Sequence, residues 1–203
     1  DYTNQIDRKN LVKTGFELAY FNLNFDFGLI NPFFGDKNYT KERYNPYRIS
    51  GYIQDKFEHE ELVINAGLRF DLSDPNTKWV NLGPWNKTYF SSQYDPEADY
   101  PMKKVKPKIA MSPRLAISHP ITVNSKLFFN YGHFLQLPTY EQMLRIGRSY
   151  SGGVRNIGNP DMLYERTIAY EIGFDQLLPG NFLLQMAAFY HDISNQQTFT
   201  LYT

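Results

Sequence analysis

Apolar and polar side chains alternate without interruption along residues 62–71. Leu62, Ile64 and Leu68 belong to the apolar series, whereas Asn65 and Arg69 belong to the series between them, which is mostly polar or small. Successive side chains of a β-strand point to opposite faces of the sheet. The pattern therefore predicts a strand with one apolar face and one polar face.

The same alternation recurs along the chain and predicts a series of antiparallel strands. In residues 165–176, for example, Ile168, Tyr170 and Ile172 share one face, while Glu171 and Asp175 share the other. The predicted strands are 1–5 (the end of a preceding strand), 11–24, 47–57, 62–71, 108–118, 126–134, 165–176 and 182–193. Pro113 interrupts the pattern of one strand, and we expect it at the rim of the sheet or beside a β-bulge.

Short and long connections alternate between these strands. We predict short turns at residues 58–61, at a turn that begins with His119 and Pro120, and at residues 178–181. Long loops are predicted at residues 25–46, 72–107 and 135–164, and residues 194–203 begin another. Brief periplasmic turns at one rim and long extracellular loops at the other are typical of outer-membrane β-barrels. We therefore predict an all-β fold of antiparallel transmembrane barrel strands.

Composition agrees with a barrel and excludes several other classes of protein. Mean hydropathy is −0.51, and no segment approaches the roughly 18 consecutive apolar residues of a membrane helix. A barrel strand needs only every second residue to be apolar. The 21 Lys and Arg residues balance the 21 Asp and Glu residues, so charge gives no indication of a nucleic-acid partner.

No catalytic or metal-binding motif is recognisable in the sequence. The chain has no cysteine, and its four histidines do not show the spacing of a zinc site. No nucleophile can be placed beside a base. We therefore expect no enzyme activity, no cofactor and no metal. The polar N-terminal residues 1–4 do not form a signal peptide, so we expect a processed chain or part of a longer one.

Several segments resemble the C-terminal β-barrel of TonB-dependent outer-membrane receptors, particularly those of Bacteroidota-type bacteria. The first matching segments are Tyr52-Ile53-Gln54-Asp55-Lys56-Phe57, Ala66-Gly67-Leu68-Arg69-Phe70-Asp71 and Ser112-Pro113-Arg114-Leu115. Further along are Asn130-Tyr131-Gly132, Leu137-Pro138, Gly158-Asn159-Pro160-Asp161, Glu171-Ile172-Gly173-Phe174 and Phe189-Tyr190-His191-Asp192-Ile193. Their order and spacing cover about three-quarters of the chain.

The resemblance implies a barrel of about 22 strands whose lumen holds a plug, and the family's N-terminal plug carries the segment that contacts TonB. We expect residues 1–203 to be part of such a barrel domain, without its plug and its remaining strands. The partners implied are outer-membrane lipid and lipopolysaccharide, the protein's own plug, the TonB system through that plug, and a surface lipoprotein. The implied location is the outer membrane.

Two long loops and the inward face contain candidate contact residues. Aromatic side chains in the second long loop could stack on a sugar or an aromatic ligand; they are Trp79, Trp85 and Tyr89, with Tyr94 and Tyr100 nearby. Residues of the third long loop could hold an anionic ligand; they are Arg145, Arg148, Tyr150 and Arg155. Charged residues of the inward face are candidates for charge networks in the lumen or for contact with the plug; they are Arg69, Asp71, Arg114, Glu171 and Asp175.

The sequence thus favours the barrel of a receptor for active, TonB-coupled uptake of a scarce and bulky nutrient, which its extracellular loops would capture. A ferric siderophore, a glycan, a peptide and a vitamin all remain open as cargo. One alternative is a passive porin or structural barrel without energy coupling. Another is a soluble β-sandwich that binds carbohydrate, in which the apolar faces would be buried against each other.

Overall fold

A computed structural model describes residues 1–28, 33, 39–81, 102–148 and 154–198. The elements in chain order are β1 (Tyr2–Gln5), β2 (Asn10–Tyr20), β3 (Leu23–Gly28), β4 (Tyr39–Tyr44), β5 (Tyr47–His59), β6 (Leu62–Asp74), β7 (Lys78–Val80), β8 (Met102–Lys104), β9 (Lys108–Thr122), β10 (Ser125–Gln136), α1 (Tyr140–Leu144), β11 (Ile146–Arg148), β12 (Val154–Ile157), β13 (Glu165–Leu178) and β14 (Phe182–Ser194).

The main sheet has eight antiparallel strands in the order β1-β2-β5-β6-β9-β10-β13-β14. Each strand pairs with the next strand of the sheet along the chain, so the sheet is a meander. The predicted all-β antiparallel architecture is confirmed. Within the described residues the sheet is open, with β1 and β14 at its edges. No helix in the described part of the chain has the length and apolar composition needed to cross a membrane.

The pairing register gives the sheet two chemically different faces. Arg69 of β6 lies beside Tyr52 of β5 and Ser112 of β9, and this face is polar on the inner strands. The opposite face is apolar and uncovered: Phe16 is 72% exposed, Ile53 57% and Ile172 50%. An apolar face of this extent is stable only against another apolar surface.

A β-sandwich would bury this apolar face against a second sheet. In the described residues the three smaller sheets have two strands each, and the buried hydrophobic side chains lie outside the eight-stranded sheet. The apolar face therefore has the character of a surface that contacts lipid.

The turns at one end of the sheet are short, and two of them use left-handed residues. β5 and β6 are joined by Glu60 and Glu61, and Glu60 has a φ of 52°. β13 and β14 are joined by three residues, of which Gly180 has a φ of 81° and Asn181 a φ of 62°. Glycine and asparagine tolerate this conformation better than other residues do.

The prediction of a turn at His119 and Pro120 is wrong. Both residues lie in β9 and pair with Leu127 and Lys126 of β10, and the turn follows Thr122. Pairing of β9 with β6 ends at Ser118, so Pro120 has a neighbouring strand on one side only. On the side of β9 that has no partner there, the missing amide hydrogen of proline removes no ladder hydrogen bond.

Pro113 marks the end of another ladder. It pairs with Leu68 of β6, but the pairing of β9 with β10 ends one residue later along β9, at Arg114 and Gly132. Pro113 thus lies inside β9, at the first position where β9 pairs with β6 but no longer with β10. Since proline has no amide hydrogen to donate, this position fits the residue.

The predicted long loops contain secondary structure of their own. The predicted strand at 11–24 is two strands, because β2 ends at Tyr20 and β3 begins at Leu23 to form a hairpin with β4. The second loop holds the pair β7 and β8. The third holds α1 and the pair β11 and β12. These small elements all lie at the end of the sheet opposite the short turns.

Candidate functional site

The three long connections pack together around one hydrophobic cluster, which we call the loop core. Its members are the buried hydrophobic side chains of the described residues: Tyr44, Trp79, Val80, Val105, Met143, Leu144 and Val154. They come from all three long connections of the eight-stranded sheet. The loop core therefore ties these three connections into one packed unit at the rim of the sheet, which we call the loop unit.

Helix α1 delivers two side chains to the loop core. Thr139 caps its N-terminus: its hydroxyl accepts a hydrogen bond from the Gln142 amide, and the Gln142 side chain accepts one from the Thr139 amide. Such a reciprocal cap stabilises the first turn of a short helix. The cap fixes Met143 and Leu144, each only 1% exposed, on the inner side of the helix.

Trp79 links the second connection to the third. Its side chain is 3% exposed, and its indole Nε1–H donates a hydrogen bond of 2.9 Å to the carbonyl oxygen of Gly158. The Gly158 amide in turn donates to the carbonyl oxygen of Arg145 at 2.7 Å. Gly158 packs so closely on α1 that a Cβ there would lie 2.5 Å from the carbonyl oxygen of Met143.

An ion pair also joins these two connections. The Asp161 carboxylate lies 2.7 Å from Nζ of Lys103 and 3.4 Å from Nζ of Lys108. Partial burial alone would raise the pKa of Asp161, but the two lysines outweigh it and hold that pKa below its usual value. The carboxylate is thus ionised at neutral pH and contributes to the packing of the loop unit.

The ring of Trp79, which was predicted to stack on a ligand, is buried in the loop core, and its N–H is occupied. Arg145 forms an ion pair with Glu141 of α1. Arg155 lies exposed in β12, and Arg148 ends β11. Trp85, Tyr89, Tyr94, Tyr100 and Tyr150 lie outside the described residues.

The polar face of the sheet is concave and encloses an open groove of about 1010 Å³. Residues of β2, β5, β6, β9, β10, β13 and β14 line it. One groove bounded by seven neighbouring strands requires the sheet to curl, as strands do in a barrel wall. Its polar and charged lining residues include Lys13, Tyr52, Gln54, Asn65, Arg69, Ser112, Arg114, Asn130, Glu171 and His191.

The charged side chains of this face are partly paired with one another. Arg69 forms a fork with Asp71, at 3.0 and 2.9 Å from Nε and 2.9 Å from a terminal nitrogen. The Ser50 hydroxyl donates to the same carboxylate at 2.7 Å. The Asn130 amide donates to Glu171 at 2.9 Å. Such pairs hold side chains in fixed positions along the groove.

Asp175 lies nearer the short turns on the same face. Lys126 of β10 lies 3.0 Å from its carboxylate, and the Gln185 amide of β14 donates to it at 3.3 Å. The register places Lys126, Asp175 and Gln185 side by side on three adjacent strands. All five predicted inward-facing residues therefore share one face of the sheet, although the groove itself is lined by only some of them.

Two arginines of the concave face stack on aromatic rings. The guanidinium carbon of Arg114 lies 4.9 Å from the ring centre of Phe134, and that of Arg48 lies 4.9 Å from the ring centre of Phe21. Arg48 is not among the residues predicted from the sequence. Its position has the same parity as Ser50 in the strand, so counting alternate residues back to the start of β5 identifies it.

Tyr164, which precedes β13, is a second residue that the sequence analysis missed. Burial is the main cause that raises the pKa of Tyr164 to about 12, and the negative charge of Asp71 adds to it, while Ser73 and Arg48 act in the opposite direction. The hydroxyl therefore stays neutral at physiological pH and can donate a hydrogen bond. No pattern in the sequence around Tyr164 indicates its proximity to Asp71.

The arrangement suits the binding and positioning of a ligand. Within the described ranges, no group of three His, Cys, Asp or Glu side chains is placed to hold a metal ion. The groove instead offers hydrogen-bond donors and acceptors, such as the side chains of Asn130 and Glu171, on a curved wall. The packed loop unit stands at one end of that wall.

Comparison with known proteins agrees with this geometry. The family described as "TonB dependent receptor-like, beta-barrel" matches residues 1–203. No curated protein sequence matches the chain. A solved structure of the copper transporter OprC superposes with a TM-score of 0.55 at 14% sequence identity, covering 94% of this chain and 29% of the transporter chain. At that identity the likeness concerns the fold alone. With its whole length matched by the family, the chain belongs to the TonB-dependent receptor β-barrel family.

Proposed function

We propose that this chain forms part of the wall and the outer rim of an outer-membrane receptor for active, TonB-coupled nutrient uptake. The observation that carries the proposal is the sheet itself, whose outer face is apolar and uncovered and whose concave face carries charged and polar side chains among apolar ones. Family membership supports it. The chain spans 29% of the length of the similar transporter, so the activity belongs to the whole protein.

In this proposal the apolar face contacts lipid, and the rim reaches lipopolysaccharide. The polar groove faces the lumen, where Arg69, Asp71, Arg114, Glu171 and Asp175 contact the protein's own plug or one another. TonB acts through that plug, and a surface lipoprotein would meet the receptor at the loop unit. The barrel of about 22 strands and the Bacteroidota type belong to the same proposal, supported by the segments that resemble that group.

The cargo is a scarce, bulky nutrient that the protein transports without chemical change. The loop unit supports this role, because a rim that is held together by its own hydrophobic core can present a preformed surface to a ligand. A porin without energy coupling is the main competing function. It would share the wall and the lipid-facing surface but would not depend on TonB.

Growth assays separate the two functions. Cells with and without the full-length gene, each in backgrounds with and without TonB, receive one of four limiting sources: a ferric siderophore, a glycan, a peptide or a vitamin. We expect growth on one source to require both the receptor and TonB. Growth that requires the receptor but not TonB would indicate a passive pore. Recovery of the full-length protein in a soluble fraction would contradict both functions.

A further inference from the structure

A second, smaller cavity of about 340 Å³ lies where the concave face meets the loop unit. Three arginines line it, together with two carboxylates: Arg48, Arg69, Arg114, Glu17 and Asp71. Tyr164 and Leu137 of the third connection close it on the rim side. Three positive charges against two negative ones leave an excess of one positive charge in the cavity.

Arg69 and Asp71 neutralise each other through their forked ion pair, which the Ser50 hydroxyl completes. Among the described residues, neither Arg48 nor Arg114 has a carboxylate within ion-pair distance. Both side chains are exposed. The excess positive charge therefore lies on Arg48 and Arg114.

Each of these two guanidinium groups rests on an aromatic ring, at 4.9 Å from the ring centre. A guanidinium held over a ring in this way still has N–H donors, and its fork of donors matches the two oxygens of a carboxylate. The ring also limits the freedom of the long side chain, so less entropy is lost when an anion binds. Tyr164 adds a neutral hydroxyl donor to the same cavity.

We propose that this cavity is an anion subsite, in which Arg48 and Arg114 bind a carboxylate group of the transported ligand. The inference rests on the proposed receptor function and names a chemical class for its cargo. Glu17 and Asp71 hold the net charge of the cavity to one positive unit. Neutral glycans lack the group that the two arginines bind.

Arginine-specific labelling of the full-length receptor in detergent tests the subsite without requiring transport. Phenylglyoxal modifies accessible arginines, and peptide mass spectrometry measures the rate at each one. The probes are citrate and inorganic phosphate, with sodium chloride to match ionic strength and glycerol as a neutral compound. Arg8, which is exposed in the turn between β1 and β2, is the matched control.

We expect Arg48 and Arg114 to react rapidly without a probe. Citrate at ten times its dissociation constant should slow both roughly tenfold by mass action, phosphate should slow them less, and Arg8 should be unaffected. In an Arg48→Gln variant, protection of Arg114 by citrate should weaken markedly. Arg8→Gln should leave protection unchanged.

Three results would overturn the inference. Equal slowing at Arg8 would reveal a general effect of ions. No slowing by citrate would show that the cavity does not bind carboxylates. Slow labelling without any probe would show that another part of the protein already occupies the two arginines. The growth assays give an independent answer. If growth depends on TonB but citrate does not protect the two arginines, the subsite alone is refuted. If citrate protects them but growth does not depend on TonB, the uptake function alone is refuted.

Discussion

The indole N–H of Trp79 donates a hydrogen bond of 2.9 Å to the carbonyl oxygen of Gly158, across 79 positions of sequence. This contact is one of those that join the connection after β6 to the connection after β10. Both residues are buried, so the bond is shielded from water, and its loss would leave a buried carbonyl without its partner. Long connections at a barrel rim therefore need not be separate loops.

Replacing Trp79 by phenylalanine should loosen the loop unit while leaving the strands intact. Trp79→Phe keeps a ring in the core but removes the N–H, at a cost of about 1–3 kcal/mol for the unsatisfied carbonyl. Hydrogen exchange measured by mass spectrometry on the full-length protein should accelerate in α1 and around Gly158 but not in β13. Lys78→Ala, at an exposed neighbouring position, is the control. Equal exchange in the two variants would contradict the role of the bond.

Adding one methyl group at Gly158 should have a similar local effect for a steric reason. The new Cβ would lie 2.5 and 2.6 Å from the carbonyl oxygens of Met143 and Gln142. Backbone atoms cannot rotate away, so α1 must shift, at a cost of about 1–3 kcal/mol. Gly51→Ala is the matched control, since its Cβ would have its nearest neighbour at 3.7 Å. If hydrogen exchange in α1 is the same in both variants, the close packing is refuted.

The Asp161 ion pair gives the loop unit a defined pH dependence. Because the folded-state pKa lies below the ordinary value, the pair contributes stability at pH values above the unfolded pKa of about 3.9, and this contribution is lost as pH falls through the folded value. Hydrogen exchange in the loop unit, corrected for its intrinsic pH dependence, should therefore rise on acidification below pH 4. Asp161→Asn should abolish the rise, whereas Asp26→Asn at an exposed position should retain it.

Replacing one partner of the Arg69 and Asp71 pair should lower the stability of the folded receptor more than replacing both. Arg69 is 38% exposed, so we expect only about 1 kcal/mol for Asp71→Asn, partly recovered in the double variant with Arg69→Gln. Thermal unfolding of the full-length receptor measures both. Glu58→Gln, which breaks the more exposed pair with Lys56, should change little. If the stability changes of the two single substitutions add up in the double variant, the Arg69 and Asp71 side chains do not stabilise each other.

Local alternation was sufficient to predict the wall of this protein. A strand needs only its own side-chain pattern to define two faces, so residues 62–71 predict β6 and place Arg69 and Asp71 on the same side. The prediction failed at His119 and Pro120, because a proline can lie within a strand where that strand has a partner on one side only. That condition depends on pairing with β6 and β10, which the residues themselves do not reveal.

The rim was far less predictable. Trp79 has the chemistry of a ligand-stacking residue, and only its contact with Gly158 shows that it is a core residue instead. Arg48 follows from the alternation within the predicted strand 47–57, but the ring beside it belongs to Phe21, in the connection between β2 and β5. Contacts between distant segments of irregular backbone leave no periodic trace in the sequence.

In the proposed barrel wall, neighbouring residues of each strand face lipid and lumen in turn. Since the chain has no cysteine, Ile53→Cys, Gln54→Cys, Glu171→Cys and Ile172→Cys each introduce one thiol into it for a spin label. Collision of the label with oxygen or with a water-soluble nickel chelate is then measured by electron paramagnetic resonance on the full-length protein in liposomes. We expect oxygen to dominate at Ile53 and Ile172, and the chelate to be relatively more effective at Gln54 and Glu171. Similar accessibility at adjacent positions would contradict the membrane wall.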